Sequence, residues 1–240
     1  MDVYIPDAGG PWPVLVYVHG GAWMHGDKAE AGMFASLTTS QGYLVASVNY
    51  RLYPSGTFPA MIQDVKCAIR FLRANAAQYN LDPNRVGAVG VSAGGHLVSL
   101  LGTTDASAGW DVGEYLDQSS RVQAVISMAG VMDLSRSFPN ADIEAMKRVG
   151  FEEYNVVEAS PISHVTPDDP PFLLIHGDRD ELVPVEQSQV MYDRLIQENV
   201  PAQLVIVQNA RHSFTAPGGT TPTLVEINQI ILDFLAKYLH

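Results

Sequence analysis

"VGAVGVSAGGHLVSLLG", residues Val86 to Gly102, changes its periodicity partway along. Its first six residues make the short, continuous apolar run of a strand buried on both faces, and "HLVSLLG" reads as helix. Between the two stands Gly90-Val91-Ser92-Ala93-Gly94, a G-x-S-x-G turn. Small flanking residues let a chain reverse sharply enough there to hold a serine exposed in a strained conformation. A glycine-rich turn that happened to contain serine would show the same five letters. The strand before it and the helix after it point instead to a nucleophile.

The alternation extends in both directions. Further strands are expected near 14–18, 43–48, 122–128, 172–176 and 203–207, and helices near 29–40, 60–79, 93–103, 185–198 and 222–238. The last helix is expected to start at Thr221-Pro222, with Leu224, Ile227, Ile231, Phe234 and Leu235 on one face. Strand-helix alternation gives an α/β fold, a mostly parallel sheet with helices on both faces, whose ligands bind beyond the carboxyl ends of the strands. Residues 131–170 break the pattern: they are proline-rich and hold one short helical stretch, near 141–148. The expected organisation is a single domain over 1–240, with 131–170 inserted as a small cap.

Composition narrows the partners. A length of 240 residues, 47% apolar with 17% charged, suits one well-buried core. A net charge of −12 argues against nucleic acid or an anionic membrane surface as partner. The single cysteine, Cys67, excludes an internal disulfide and a cysteine-based metal cluster, and within "MIQDVKCAIRFL" it reads as a small core-facing residue. No apolar stretch reaches the length of a membrane span, and "MDVYIPDAGGPWP" lacks the basic start and apolar run of a leader. The default compartment is therefore the cytoplasm, with secretion the alternative for a chain whose leader has been removed. The oligomeric state is left open.

A serine hydroxyl needs a base. Of the seven histidines, His19 and His176 sit at strand ends as turn braces, His96 on the helix after Ser92, His25 in the first loop, His164 in the cap and His240 at the end. His212, in "QNARHSF" just past the final strand, stands at the carboxyl edge and is the best base. An acid must fix its tautomer. The loop "HGDRDELVP" offers Asp178, Asp180 and Glu181, and spacing does not choose among them. With any of the three, the chain order is Ser, acid, His, as in α/β-hydrolases.

"HGGAW" (19–23), "GVSAGG" (90–95), "HGDRDELVP" (176–184) and the His212 loop together resemble the α/β-hydrolase esterases, over nearly the whole chain. The similarity is to the branch related to hormone-sensitive lipase and to small feruloyl and acetyl-xylan esterases. Val91 stands where the hormone-sensitive-lipase group usually has an acidic residue, which favours the feruloyl-esterase side. Those enzymes usually carry another strand or two before the segment that opens here as "MDVYIP". The resemblance implies an α/β-hydrolase fold with Ser92 as nucleophile, Asp180 as acid and His212 as base. It also implies that the amides of Gly21, Ala22 and Ala93 form an oxyanion hole, so "HGGA" gives up side chains to let the backbone approach a substrate.

The expected activity is a serine carboxylesterase acting through an acyl-enzyme on acetyl to butyryl esters. Acetyl or feruloyl esters of plant carbohydrates are plausible substrates, and other small-molecule esters fit as well. A prolyl-oligopeptidase-type serine peptidase shares the turn and the acid loop but needs a propeller domain for which the chain has no room. A catalytically silent hydrolase fold used for binding is the third reading. No metal or organic cofactor is expected, since there is no H-E-x-x-H, cysteine pair or dinucleotide fingerprint.

Overall fold

The computed structural model describes residues 1–136, 143–152 and 155–239. Seven strands form one sheet: β1 (Asp2–Tyr4), β2 (Trp12–Val18), β3 (Leu44–Val48), β4 (Leu81–Val91), β5 (Ala124–Met128), β6 (Phe172–Gly177) and β7 (Ala202–Val207). The spatial order is β1-β3-β2-β4-β5-β6-β7. Every neighbouring pair is parallel except the antiparallel edge pair β1 and β3. The six expected strands are all present. The short β1 lay unread in "MDVYIP", since three residues are too few to show a period.

Burial follows the pleat. Val14, Val16 and Val18 of β2 enter one apolar cluster, and Leu15 and Tyr17 enter the other. Both faces are therefore covered, which is why the strands read as unbroken apolar runs. On the first face lie α2 (Ala60–Ala74), followed by the short α3 (Ala76–Tyr79), and then α4 (Ala93–Thr103) and α6 (Glu186–Gln197). On the second lie α1 (Gly32–Thr39) and α7 (Leu224–Leu239). The helix α5 (Ile143–Arg148) belongs to the segment between β5 and β6. The expected start of that helix, at 141–142, falls outside the described residues, as do Pro139 and His240.

Several helical boundaries differ from expectation for local reasons. The pattern near 29–40 divides into a 3₁₀ turn, Lys28–Ala31, capped by Asp27 and Glu30, and then α1. The pattern at 60–79 breaks at Asn75, whose side-chain amide donates back to Phe71 O at 2.8 Å. The last helix starts at Leu224 rather than at Pro222. Thr223 and Glu226 make reciprocal side-chain bonds to each other's amides, a capping box. Leu224 is consequently exposed, while Ile227, Ile231, Phe234 and Leu235 are buried as expected.

On α2, Cys67 does not face the core as expected, and two cations are buried beside Val65 and Ile69. Lys66 and Arg70 are fully buried, whereas Cys67 is half-buried. The loop after α4 folds back over α2 and brings Asp111 between the two cations, 3.2 Å from Lys66 Nζ and 2.6 Å from Arg70 Nη1. Lys66 also donates to Thr104 O and Ser120 Oγ, and Arg70 to the carbonyls of Val112 and Glu114. Burial of charge is tolerated because each of these side-chain nitrogens has an acceptor.

The sheet also sets where its loops gather. Val18 pairs with Gly90, Val91 with Met128, and Gly177 with Val207, so the carboxyl ends of β2, β4, β5, β6 and β7 are nearly level. Their following loops meet at one edge.

Candidate active site

Ser92 sits where β4 ends and α4 begins, with φ 56° and ψ −119°. A non-glycine residue there is strained and persists only when its surroundings over-determine it. Its amide donates to Met128 O at 2.8 Å, and its carbonyl accepts from His96 N at 2.9 Å. The helix must start immediately, and it packs directly on β2. A side chain at Gly94 would run into the backbone carbonyls of Val18 and His19. Glycine at that position is therefore a condition of the turn.

Asp180 and His212 are brought into contact. His212 Nδ1 lies 2.7 Å from Asp180 Oδ2. A carboxylate accepts only, so Nδ1 carries the proton and Nε2 presents its lone pair. Asp180 Oδ1 accepts from the amides of Leu182 and Val183, both at 2.9 Å. The Asp180 side chain is wholly buried, and that of His212 is 22% exposed. Burial alone would raise the Asp180 carboxyl. The hydrogen bonds from His176, His212 and the Val183 amide outweigh it and hold the group well below the ordinary carboxylate range. Asp178 is exposed. The geometry thus separates the acids that spacing left equal.

Among the described residues, no hydrogen bond joins Ser92 to His212. In ligand-free sites this contact is often long and tightens with substrate. The loops that carry Asp180 and His212 are held together independently of it, because Arg179 N donates to Ala210 O at 3.0 Å and Asp178 N to Val207 O at 3.1 Å.

The loop after β2 lies against the Ser92 turn, and a Cβ on Gly20 would stand 3.4 Å from Ser92 Cβ. Gly21, Ala22 and Trp23 follow with φ of 106°, 51° and 59°. Among the described residues, nothing accepts from the amides of Gly21, Ala22 or Ala93. The Ala93 amide is one of the free N–H groups of the α4 N-terminus, where the helix dipole also favours negative charge. The expected bracing by His19 is seen in detail: its ring is buried, donates from Nδ1 to Gly20 O at 2.7 Å and stacks on Tyr50 at 4.5 Å. Tyr50 Oη donates in turn to His19 O at 3.2 Å.

His176 does more than brace a turn. Nε2 donates to Val183 O at 2.9 Å and lies 3.4 Å from Asp180 Oδ2, while Nδ1 accepts from Ser188 Oγ at 2.7 Å. Its place four residues before Asp180 was the available signal. Tyr50 left no sequence signal of this kind. Among the described residues, no group of three or more His, Cys, Asp and Glu residues could hold a metal, and no helix is long and apolar enough to cross a membrane.

The BD-FAE family model matches residues 1–195. Esterase LipC of Mycobacterium tuberculosis is 39% identical over 77% of this chain and 48% of its own length. The chain spans about half the length of the curated relatives it matches. Among solved structures, a truncated carbohydrate esterase from gut microbiota is 28% identical with a TM-score of 0.83, covering 98% of this chain and 89% of that one. An acetyl ester-xyloside bifunctional hydrolase from Caldicellulosiruptor lactoaceticus is 32% identical with a TM-score of 0.78, covering 88% and 77%. These relatives are named as ester hydrolases, and neither the peptidase nor the silent binding fold is favoured.

Proposed function

The chain belongs to the BD-FAE family, a branch of the α/β-hydrolase esterases, and from that premise we propose that it is a serine carboxylesterase working through Ser92, Asp180 and His212. The observation that carries the assignment is the 2.7 Å bond from His212 Nδ1 to the buried Asp180 carboxylate, made at the sheet edge where Ser92 stands strained. His212 Nε2 takes the proton from Ser92 Oγ as the oxygen attacks the ester carbonyl. The amides of Gly21, Ala22 and Ala93 receive the developing oxyanion, and Asp180 stabilises the imidazolium. The imidazolium then gives its proton to the departing alkoxide, leaving an acyl-enzyme. Water, deprotonated by the same imidazole, releases the acid.

The substrate class within this reading is an acetyl to butyryl ester of a carbohydrate or other small alcohol. The carbohydrate esterase and the acetyl ester-xyloside hydrolase among the structural relatives support it. In this reading residues 131–170 form a small cap on a single domain, beside the loop that carries Gly21 and Ala22. An organophosphonate should label Ser92 stoichiometrically, as read by peptide mapping. Ser92→Ala should fold normally and lose turnover by several orders of magnitude. An adduct on another serine, or turnover retained by the alanine variant, defeats the assignment.

A further inference from the structure

Ala22 and Trp23 form two consecutive non-glycine residues in the left-handed region. A non-glycine residue there is strained, and contacts around it must offset that strain. Within the turn, Met24 N and His25 N both donate to Gly21 O, at 3.0 and 2.9 Å. Contacts on the Ala22 side chain add little, since the residue is exposed. The contacts from outside the turn converge on Trp23, which is 6% exposed. Its carbonyl accepts from Tyr53 N at 3.1 Å, its ring meets Phe151 edge-on at 4.7 Å, and its Nε1–H points at His96 Nδ1, 3.3 Å away.

His96 is fully buried one helical turn after Ser92. Its Nε2 lies 2.8 Å from Ala159 O, a pure acceptor, so Nε2 must carry the ring proton. Nδ1 is therefore bare and able to accept from Trp23. Burial pushes the imidazole down to about 4, so the ring stays neutral and the acceptor stays available at neutral pH.

We propose that His96 is a positioning residue: by accepting the Trp23 indole hydrogen, it fixes the Gly21–Trp23 turn at the angle at which the Ala22 amide meets the oxyanion. The proposal rests on the serine-esterase reading. Ser92 caps the helix that carries His96, and His96 N donates to Ser92 O at 2.9 Å, so the donor loop is registered directly to the nucleophile it serves. The segment that contributes Ala159 and Phe151 supports the ring from behind, Phe151 lying 5.5 Å from it.

A merely structural histidine would change stability and leave the kinetic pattern alone. An oxyanion-loop positioner acts in the transition state, so its loss lowers kcat with KM unchanged. His96→Leu removes the acceptor. Trp23→Phe removes the donor but keeps a ring, and it carries the test by itself where the leucine variant does not fold. His96→Asn restores an acceptor near the Nδ1 position. On p-nitrophenyl acetate, His96→Leu and Trp23→Phe should each lose about 10- to 100-fold in kcat, less than the effect of removing an oxyanion donor outright. The double variant should be no worse than the poorer single one, and His96→Asn should recover most of the rate. Affinity for a trifluoromethyl ketone, which forms a hemiketal oxyanion on the serine, should weaken by the same factor as kcat. Unchanged kcat, a change confined to KM, additive losses, or trifluoromethyl ketone affinity that ignores the substitutions would overturn the proposal. Organophosphonate labelling of the native protein separates the two failures. Labelled Ser92 with native turnover in the variants defeats the positioning role alone, whereas unlabelled Ser92 defeats the esterase reading and this proposal with it.

Discussion

Asp180→Asn should convert the base into a group unable to accept a proton from Ser92, and the reason lies in how the carboxylate is filled. Oδ1 accepts two backbone amides at 2.9 Å, from Leu182 and Val183. An asparagine must put its carbonyl oxygen there, because its NH₂ cannot face two donors. The NH₂ then occupies the place of Oδ2, 2.7 Å from His212 Nδ1. Two N–H groups cannot share that line, so the imidazole moves its proton to Nε2 and accepts at Nδ1. Nε2 has then lost the lone pair that should take the Ser92 proton. The comparable change in another triad lowers turnover about 10⁴-fold, and a loss of about 10³- to 10⁴-fold is expected here, or about 4–5.5 kcal/mol of transition-state stabilisation. Asparagine is nearly isosteric and keeps the backbone contacts, so unfolding free energy should move by only about 1–2 kcal/mol. Asp178→Asn, on an exposed side chain, is the matched control and should cost less than about twofold, within the change of about 0.5 kcal/mol usual for surface substitutions. The assay is initial rate on p-nitrophenyl acetate beside urea unfolding of the same preparations. Asp178→Asn the more damaged, or Asp180→Asn within tenfold of the native rate, would refute the tautomer argument.

Two further outcomes follow from groups held in unusual states. Because hydrogen bonds keep Asp180 ionised well into acid, only one proton should switch the proposed activity off as pH falls. A plot of log kcat/KM against pH should show an acid limb of slope one, and slope two would mean that Asp180 loses its charge in the same range. Asp111→Asn leaves Lys66 and Arg70 buried beside no carboxylate and should cost about 3–5 kcal/mol in urea unfolding, whereas Lys66→Met, which leaves Arg70 and Asp111 matched one to one, should cost much less. Equal losses would assign the effect to packing instead of charge.

What was legible in the chain divides by the sequence distance over which each feature is decided. Six strands, the Ser92 turn and the start of α4 are settled within a few residues, by apolar runs and by glycines that permit close approach. They stand where expected, except that β4 begins at Leu81, ahead of its apolar run. The three-residue β1 showed no period. His212 was legible because position after the last strand places it at the right edge of a parallel sheet. Asp180 was not separable by spacing from Asp178 or Glu181. What distinguishes it is a loop that turns back far enough for two amides to reach one oxygen and for a histidine 32 residues away to reach the other. Lys66 and Arg70 were invisible as buried groups for a stronger reason. Helical periodicity assigns charge to solvent unless a partner arrives, and here the partner, Asp111, comes from 45 and 41 residues further on.

His96 combines the two cases. Its place four residues after Ser92, which is local and readable, puts it one turn into α4, where its amide donates to Ser92 O. Its chemical role depends on Trp23, 73 residues earlier, and on Ala159, 63 residues later. Neither contact alone determines what the ring does. The carbonyl at Ala159 sets the tautomer, and only the tautomer makes Nδ1 an acceptor for the indole. A histidine on a buried helix is therefore uninformative in sequence until the third residue is in place. In this fold that residue comes from the segment least regular in pattern, the one between β5 and β6, so the least readable part of the chain decides how its most readable turn is completed.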